Sequence, residues 1–174
     1  MTRKLLLGLA LLALVLPVAG TAALSAAAGD GTLSVENGRG SVTLRAKGGL
    51  IGRIDRGTVT IYDLTPADAY DQRVTGDDRP VRFVGETGIR YAGNGIRFRI
   101  VGGEFKVVIT GAGIDLSAVG RGSGFIQGAG DDPGLYSLDG TDCRTDAAAC
   151  KPLPDLGRRF QLAPDRDKDN GRTP

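Results

Sequence analysis

Apolar side chains alternate with polar ones along most of residues 31–128, and glycines separate the alternating runs. A period of two with many β-branched residues is typical of strands. Beyond the N-terminal segment, no stretch shows the 3.6-residue period of an amphipathic helix. The clearest alternating apolar positions are Leu33 and Val35; Val42, Leu44 and Ala46; Ile96, Phe98 and Ile100; and Phe105, Val107 and Ile109. The sequence therefore predicts an all-β chain of short strands.

The alternating region also matches itself. A shift of 63 residues superimposes apolar and glycine positions of its first part on those of its last part, and a two-residue insertion then changes the shift to 65. The matches include Leu33 with Ile96, Gly40 with Gly103, Leu44 with Val107, and Arg56-Gly57 with Arg121-Gly122. This pattern predicts two related units of three or four strands, about 31–63 and 94–128. The alternative is chance similarity within a glycine-rich sequence.

Each unit alone covers only one face of a core, so two such units are expected to pack face to face. The predicted fold is an antiparallel two-sheet sandwich or flattened barrel built from the duplicated unit. Asn37-Gly38 and Asn94-Gly95 are hairpin signals, because both residue types tolerate positive φ. A parallel β-helix with glycine-rich turns is the alternative fold.

The N-terminus is typical of a signal peptide. Arg3 and Lys4 precede the nearly continuous apolar run from Leu5 to Leu16, and Ala26-Ala27-Ala28 fits the small-residue rule for cleavage. Gly20-Thr21-Ala22 is a second candidate cleavage site. The alternative is an uncleaved membrane anchor. Both interpretations place the domain outside the cytoplasm, in the extracellular space or the cell envelope.

The predicted domain organisation follows from these boundaries. Residues 1–28 form the signal helix, residues 29–163 form a single β domain, and the charged residues 164–174 form a disordered tail. Removing Arg3 and Lys4 from the 22 basic residues leaves 20, equal to the 20 acidic residues. Bulk charge therefore gives no argument for binding nucleic acid or a membrane surface.

Residue content limits the chemistry. The chain has no histidine, and its only cysteines, Cys143 and Cys150, are expected to form a disulfide in an oxidising compartment. A zinc site would need two further ligands, and the spacing is not that of a Cys-x-x-Cys redox pair. No serine has a recognisable base, and no pair of acids lies in a catalytic pattern, so an enzyme, for example a hydrolase, is the least favoured class.

Three segments resemble motifs of small exported glycine-rich proteins from high-GC bacteria. They are Arg56-Gly-Thr-Val-Thr-Ile-Tyr-Asp63, Gly113-Ile-Asp-Leu-Ser-Ala-Val-Gly-Arg-Gly122 and Leu135-Tyr-Ser-Leu-Asp139. The resemblance covers about residues 31–140. It implies an exported all-β protein and carries over no functional residue, because that group has no established activity.

The C-terminal tail contains a candidate calcium site. Asp165, Asp167 and Asp169 occupy positions 1, 3 and 5 of a loop like that of an EF-hand. However, glycine falls at position 7 rather than 6, and the chain ends before a glutamate at position 12. The alternative is a solvated tail in which Arg166 and Lys168 lower the local charge. No other cofactor is expected.

A basic sheet face is the remaining candidate site. Alternation places Arg97 and Arg99 on the face opposite the apolar side chains of the same strand. The full candidate set for polyanion binding is Arg82, Arg90, Arg97, Arg99 and Lys106. The alternative is an ordinary solvated face. The sequence thus favours an exported, non-catalytic interaction module, with an anionic envelope polymer or another envelope protein as partner. A calcium-stabilised structural protein is the alternative function.

Overall fold

The computed structural model describes residues 27–29, 31–66, 71–83 and 88–163. Within these ranges the fold is all-β, as predicted, and its strand pairs are antiparallel apart from one short parallel pair. The strands are β1 (Ala27–Ala28), β2 (Thr32–Asp63), β3 (Asp71–Phe83), β4 (Gly88–Gly128), β5 (Leu135–Ser137), β6 (Lys151–Pro152) and β7 (Arg158–Gln161). A short 3-10 helix, Ala147–Ala149, precedes β6. The predicted signal segment up to residue 26 and the predicted tail lie outside the described residues.

The two long strands β2 and β4 pair with each other twice. Most β2 residues between Gly40 and Tyr62 have one β4 neighbour on each side. Leu44, for example, lies opposite Val107 on one side and Gly124 on the other. Both edges of this part of β2 are therefore hydrogen-bonded, which leaves no open edge along it.

The pairing divides the long strands into two sets of neighbouring segments. In the first strand set the order of neighbours is 32–35, 114–119, 49–54, 96–101 and 71–75. In the second strand set the order is 120–128, 40–48, 104–111, 56–63, 88–94 and 77–83. Because β2, β3 and β4 each contribute segments to both sets, each strand passes from one set to the other without a hairpin.

The predicted hairpins at Asn37-Gly38 and Asn94-Gly95 are wrong. β2 continues through Asn37, whose φ is 49°, and its register against β4 shifts between Val35 and Gly38. Gly95 has a φ of 61° inside β4. At both positions the positive φ belongs to a bulge that redirects a continuous strand. Bulges, like hairpin turns, use residues that tolerate positive φ.

Some of the bends require glycine. Gly40 has a φ of 133°, and a Cβ atom there would lie 2.1 Å from the carbonyl oxygen of Gln127. Gly57 has a φ of 148°, and its Cβ would lie 2.1 Å from the carbonyl oxygen of Thr110. The backbones of paired segments thus approach more closely than any side chain permits. The high glycine content is therefore a condition of this strand geometry.

The predicted alternation is confirmed by burial. One apolar cluster contains buried side chains from both strand sets, including all those of the alternating runs. Its largest fully buried members are Phe105, Phe160, Leu33, Leu44, Ile54, Ile61, Ile96, Ile100, Ile109, Ile114, Leu116 and Ile126. Burial of these side chains supplies the main driving force for folding.

We expect Gly40→Ala to lower the free energy of unfolding by about 3 kcal/mol, because it combines a left-handed backbone with a backbone clash. Gly49→Ala is the matched control. The nearest atom to a Cβ at Gly49 is the Ile100 carbonyl oxygen at 3.9 Å. That change should alter stability by less than about 1 kcal/mol. Urea unfolding measures both, and equal effects would contradict the close approach at Gly40.

Candidate anion-binding groove

An open groove of about 550 Å³ lies on the solvent side of the first strand set. Five arginines and two aspartates line it: Arg53, Arg73, Arg97, Arg99, Arg144, Asp115 and Asp142. Ile51 and Gly52 contribute an apolar part of the lining, and Ser34, Ser117 and Thr75 add hydroxyl groups. The groove therefore carries an excess of positive charge, and its hydroxyl groups can also donate hydrogen bonds to a ligand.

Strand pairing brings four of these arginines together. Arg97 lies directly opposite Arg53, and Arg99 lies directly opposite Arg73. Residues directly opposite in an antiparallel pair have Cβ atoms about 5 Å apart. Two like-charged pairs on adjacent strands are unfavourable without a compensating anion.

Asp115 anchors one end of this arginine group. It is 3% exposed and accepts hydrogen bonds from the Asn37 backbone N–H (2.8 Å) and from Nε of Arg53. Its hydrogen bond and its charge hold the pKa of the Arg53 guanidinium above its ordinary value. Asp115 therefore links the bulge of β2 to the orientation of a groove arginine.

Arg97 and Arg99 differ from the other arginines of the groove. Arg73 lies 3.7 Å from Asp71, and Arg144 lies 3.6 Å from Glu36. Among the residues that the structure describes, no ion pair involves Arg97 or Arg99, and both are exposed. Their guanidinium groups are thus the ones best placed to meet an added anion.

The disulfide loop borders the groove beside segment 32–35, the neighbour of the segment that carries Asp115. Cys143 and Cys150 form the predicted disulfide, with Cα atoms 5.7 Å apart. The Cys143 backbone N–H donates to Oγ of Ser34 (3.1 Å), which holds the loop against β2. Arg144 and Asp142 reach the groove from this loop.

Several aspartates of this loop region accept hydrogen bonds within turns. Asp142 accepts from the Arg144 backbone N–H, and Asp146 caps the 3-10 helix. Asp139 accepts hydrogen bonds from Ser137 Oγ and the Thr141 backbone N–H, which lower its pKa to about 2. These acids are therefore occupied by local structure.

The predicted polyanion set divides between two places. Arg97 and Arg99 lie in the groove, whereas Arg90 and Lys106 do not line it. Arg90 donates to Oγ1 of Thr60 (3.2 Å), and the Lys106 ammonium lies 5.4 Å from the centre of the Tyr62 ring. Arg82 is paired with Arg90 in the sheet, and its side chain lies outside the described part of the protein.

The reason for this division is the change of strand set. β4 crosses between the sets on both sides of the segment 96–101, so the two-residue alternation does not continue into Arg90 or Lys106. Sequence reasoning missed Arg53, Arg73 and Arg144 as groove residues. The sequence shows Arg53 as a polar position in an alternating run. The place of Arg73 in the groove depends on long-range strand pairing, and that of Arg144 depends on the disulfide loop, so the sequence does not show them.

Within the described ranges, no three histidine, cysteine, aspartate or glutamate side chains cluster as a metal site would require. The calcium candidates Asp165, Asp167 and Asp169 lie outside those ranges. The same described ranges contain no helix with the length and hydropathy needed to cross a membrane. No family model, curated protein or solved structure matches this chain.

We expect Asp115→Ala to lower the free energy of unfolding by about 2 kcal/mol, because the Asn37 N–H and the Arg53 Nε–H lose their acceptor, a carboxylate that is itself 3% exposed. Glu104→Ala is the control. It removes the more exposed ion pair with Arg45 (2.7 Å) and should cost less than about 1 kcal/mol. Chemical denaturation of both variants measures the difference. A loss for Asp115→Ala no greater than that for Glu104→Ala would rule out the anchoring role of Asp115.

Proposed function

We propose that this chain is an exported, non-catalytic β domain that holds an anionic polymer of the cell envelope in its arginine groove. The proposal rests mainly on the register of the strands, in which Arg53 lies opposite Arg97 and Arg73 lies opposite Arg99. Guanidinium groups form bidentate hydrogen bonds with phosphate and carboxylate groups. Asp115 already compensates the charge of Arg53, and Asp71 lies beside Arg73. A bound anion would therefore relieve the repulsion that remains at Arg97 and Arg99.

The extent of the groove favours a polymer over a single small anion. Its side chains run from Ser34 across Ser117, Ile51 and Arg99 to Arg73, which occupy five neighbouring segments of the first strand set. Adjacent strands are about 4.8 Å apart, so this row is about 19 Å long. A chain with one anionic group per repeating unit can place several groups along such a row.

We also propose that the two strand sets are the layers of a sandwich produced by duplication. Leu44 pairs with Val107, the residue that the shift of 63 assigns as its equivalent. On either side, Val42 pairs with Ile109 and Ala46 pairs with Phe105. Two equivalent units related by an approximate twofold axis would pair in this way. The single core cluster with members from both sets supports the layered arrangement.

The groove is tested with Arg97→Glu/Arg99→Glu. We expect this variant to lose about tenfold or more of the affinity for inorganic polyphosphate or polygalacturonate at low salt, because two cations become two anions. The wild-type affinity should itself fall steeply as salt is added. Isothermal titration calorimetry provides both measurements, and retention on isolated envelope extends them to the natural polymer.

The matched control is Arg39→Glu/Arg56→Glu, which makes the same change of charge at exposed arginines outside the groove. This control should retain most of the affinity. An equal loss in both double variants would mean that net charge, and not the groove, determines binding. Unchanged binding by Arg97→Glu/Arg99→Glu would reject the groove as the site.

Export is tested at the N-terminus. Strand β1 pairs with β7, with Ala27 opposite Phe160 and Ala28 opposite Gln161. Cleavage after Ala28 would remove this strand, whereas cleavage after Ala22 keeps it. We therefore favour the second candidate site over the predicted boundary at residue 28, and we expect mass spectrometry of the secreted protein to give Ala23 as its first residue. A first residue of Gly29 would contradict this choice of site, and an intact N-terminus would contradict cleavage.

A further inference from the structure

We propose that the second strand set carries a separate anion-binding surface, so that one molecule bridges two segments of anionic polymer. This inference rests on the function proposed for the groove and adds a second site of the same chemical class. The residues of the second surface are Arg45, Lys47, Lys106, Arg121 and Arg159, together with one acid, Glu104. All are exposed or half-buried.

Strand pairing again places like charges opposite each other. Lys47 lies opposite Arg121 on one side and opposite Glu104 on the other, and Arg45 lies opposite Lys106. Glu104 accepts hydrogen bonds from Nε (2.8 Å) and Nη2 (2.7 Å) of Arg45, so the one carboxylate of the surface is already engaged. Within the described residues, Lys47, Arg121 and Arg159 have no ion-pair partner.

The surface is concave where these cations meet. Two depressions of about 450 Å³ and about 610 Å³ share Arg45, Ser123 and Gln161 as lining residues. The first also contains Lys47 and Arg121, and the second contains Arg159. Together they form a continuous basic trough with hydroxyl and amide donors, which suits an extended chain of phosphate or carboxylate groups.

The trough is distinct from the groove. No residue lines both, and every trough residue named above belongs to the second strand set or to β7, which pairs with segment 120–128. In the layered arrangement the two outer faces point away from each other. A polymer segment in the groove therefore leaves the trough free for a segment of another chain, which is the geometry of a cross-link.

The number of sites is measured by titrating the full chain with tripolyphosphate, which is too short to occupy both sites. We expect two bound molecules for the wild type. We expect one for Lys47→Glu/Arg121→Glu and one for Arg97→Glu/Arg99→Glu. The milder variant Lys47→Gln/Arg121→Gln should also bind one if the glutamate variant fails to fold. Circular dichroism and thermal melting establish that each variant is folded.

Bridging is measured by light scattering with long-chain polyphosphate. Wild-type protein should produce scattering that peaks at an intermediate ratio of protein to polymer, and each double variant should abolish the peak. One bound tripolyphosphate in the wild type, with no change in Lys47→Glu/Arg121→Glu, would overturn the second site and leave the groove intact. Absence of any binding by the wild type would overturn both proposals.

Discussion

The close approach of paired backbones at glycine is the constraint on which this structure depends. β2 and β4 remain continuous while they pass between the two strand sets, and they do so at positions such as Gly40 and Gly57, where a side chain would collide with a carbonyl group. The bends let two long strands pair with each other twice and enclose a single apolar cluster. The positions of the arginines follow from the same bends, because a bend determines which face of which strand set a side chain occupies.

Much of the local structure could be predicted from the sequence. Alternation identified the extended segments and the buried side chains, since period two is a property of each segment alone. The prediction of short strands was wrong, because β2 has 32 residues and β4 has 41. The disulfide followed from the presence of two cysteines and the expected compartment. The hairpins were wrong because positive φ at Asn37 is equally compatible with a bulge, and only long-range pairing distinguishes the two.

The candidate site was predictable only in part, for the same reason. Arg97 and Arg99 were assigned to an outer face correctly, but Arg90 and Lys106 were grouped with them across two changes of strand set. The shift of 63 residues aligns Ile51 with Ile114, yet Ile51 is 58% exposed in the groove and Ile114 is buried. Sequence patterns give the face of a residue within one straight segment, whereas a binding surface combines segments that are distant in the chain.

The distribution of charge supports the proposal that a nearly neutral protein binds a polyanion. Several acids are committed to structure: Asp115 of the groove to a bulge and an arginine, and Asp139 and Asp146, which do not line the groove, to turns. Two groups of basic side chains lie in concave surfaces, where, in the proposed function, local potential rather than net charge attracts an anion.

The central claim is that the arginine groove receives the anion. The most direct test is a nuclear magnetic resonance titration of the protein with polyphosphate, following the arginine Nε–H resonances. Within the groove, larger shifts are expected at Arg97 and Arg99 than at Arg73 and Arg53. Shifts at Arg39 and Arg56 as large as those at Arg97 and Arg99, or no shifts in the groove at saturation, would contradict the claim.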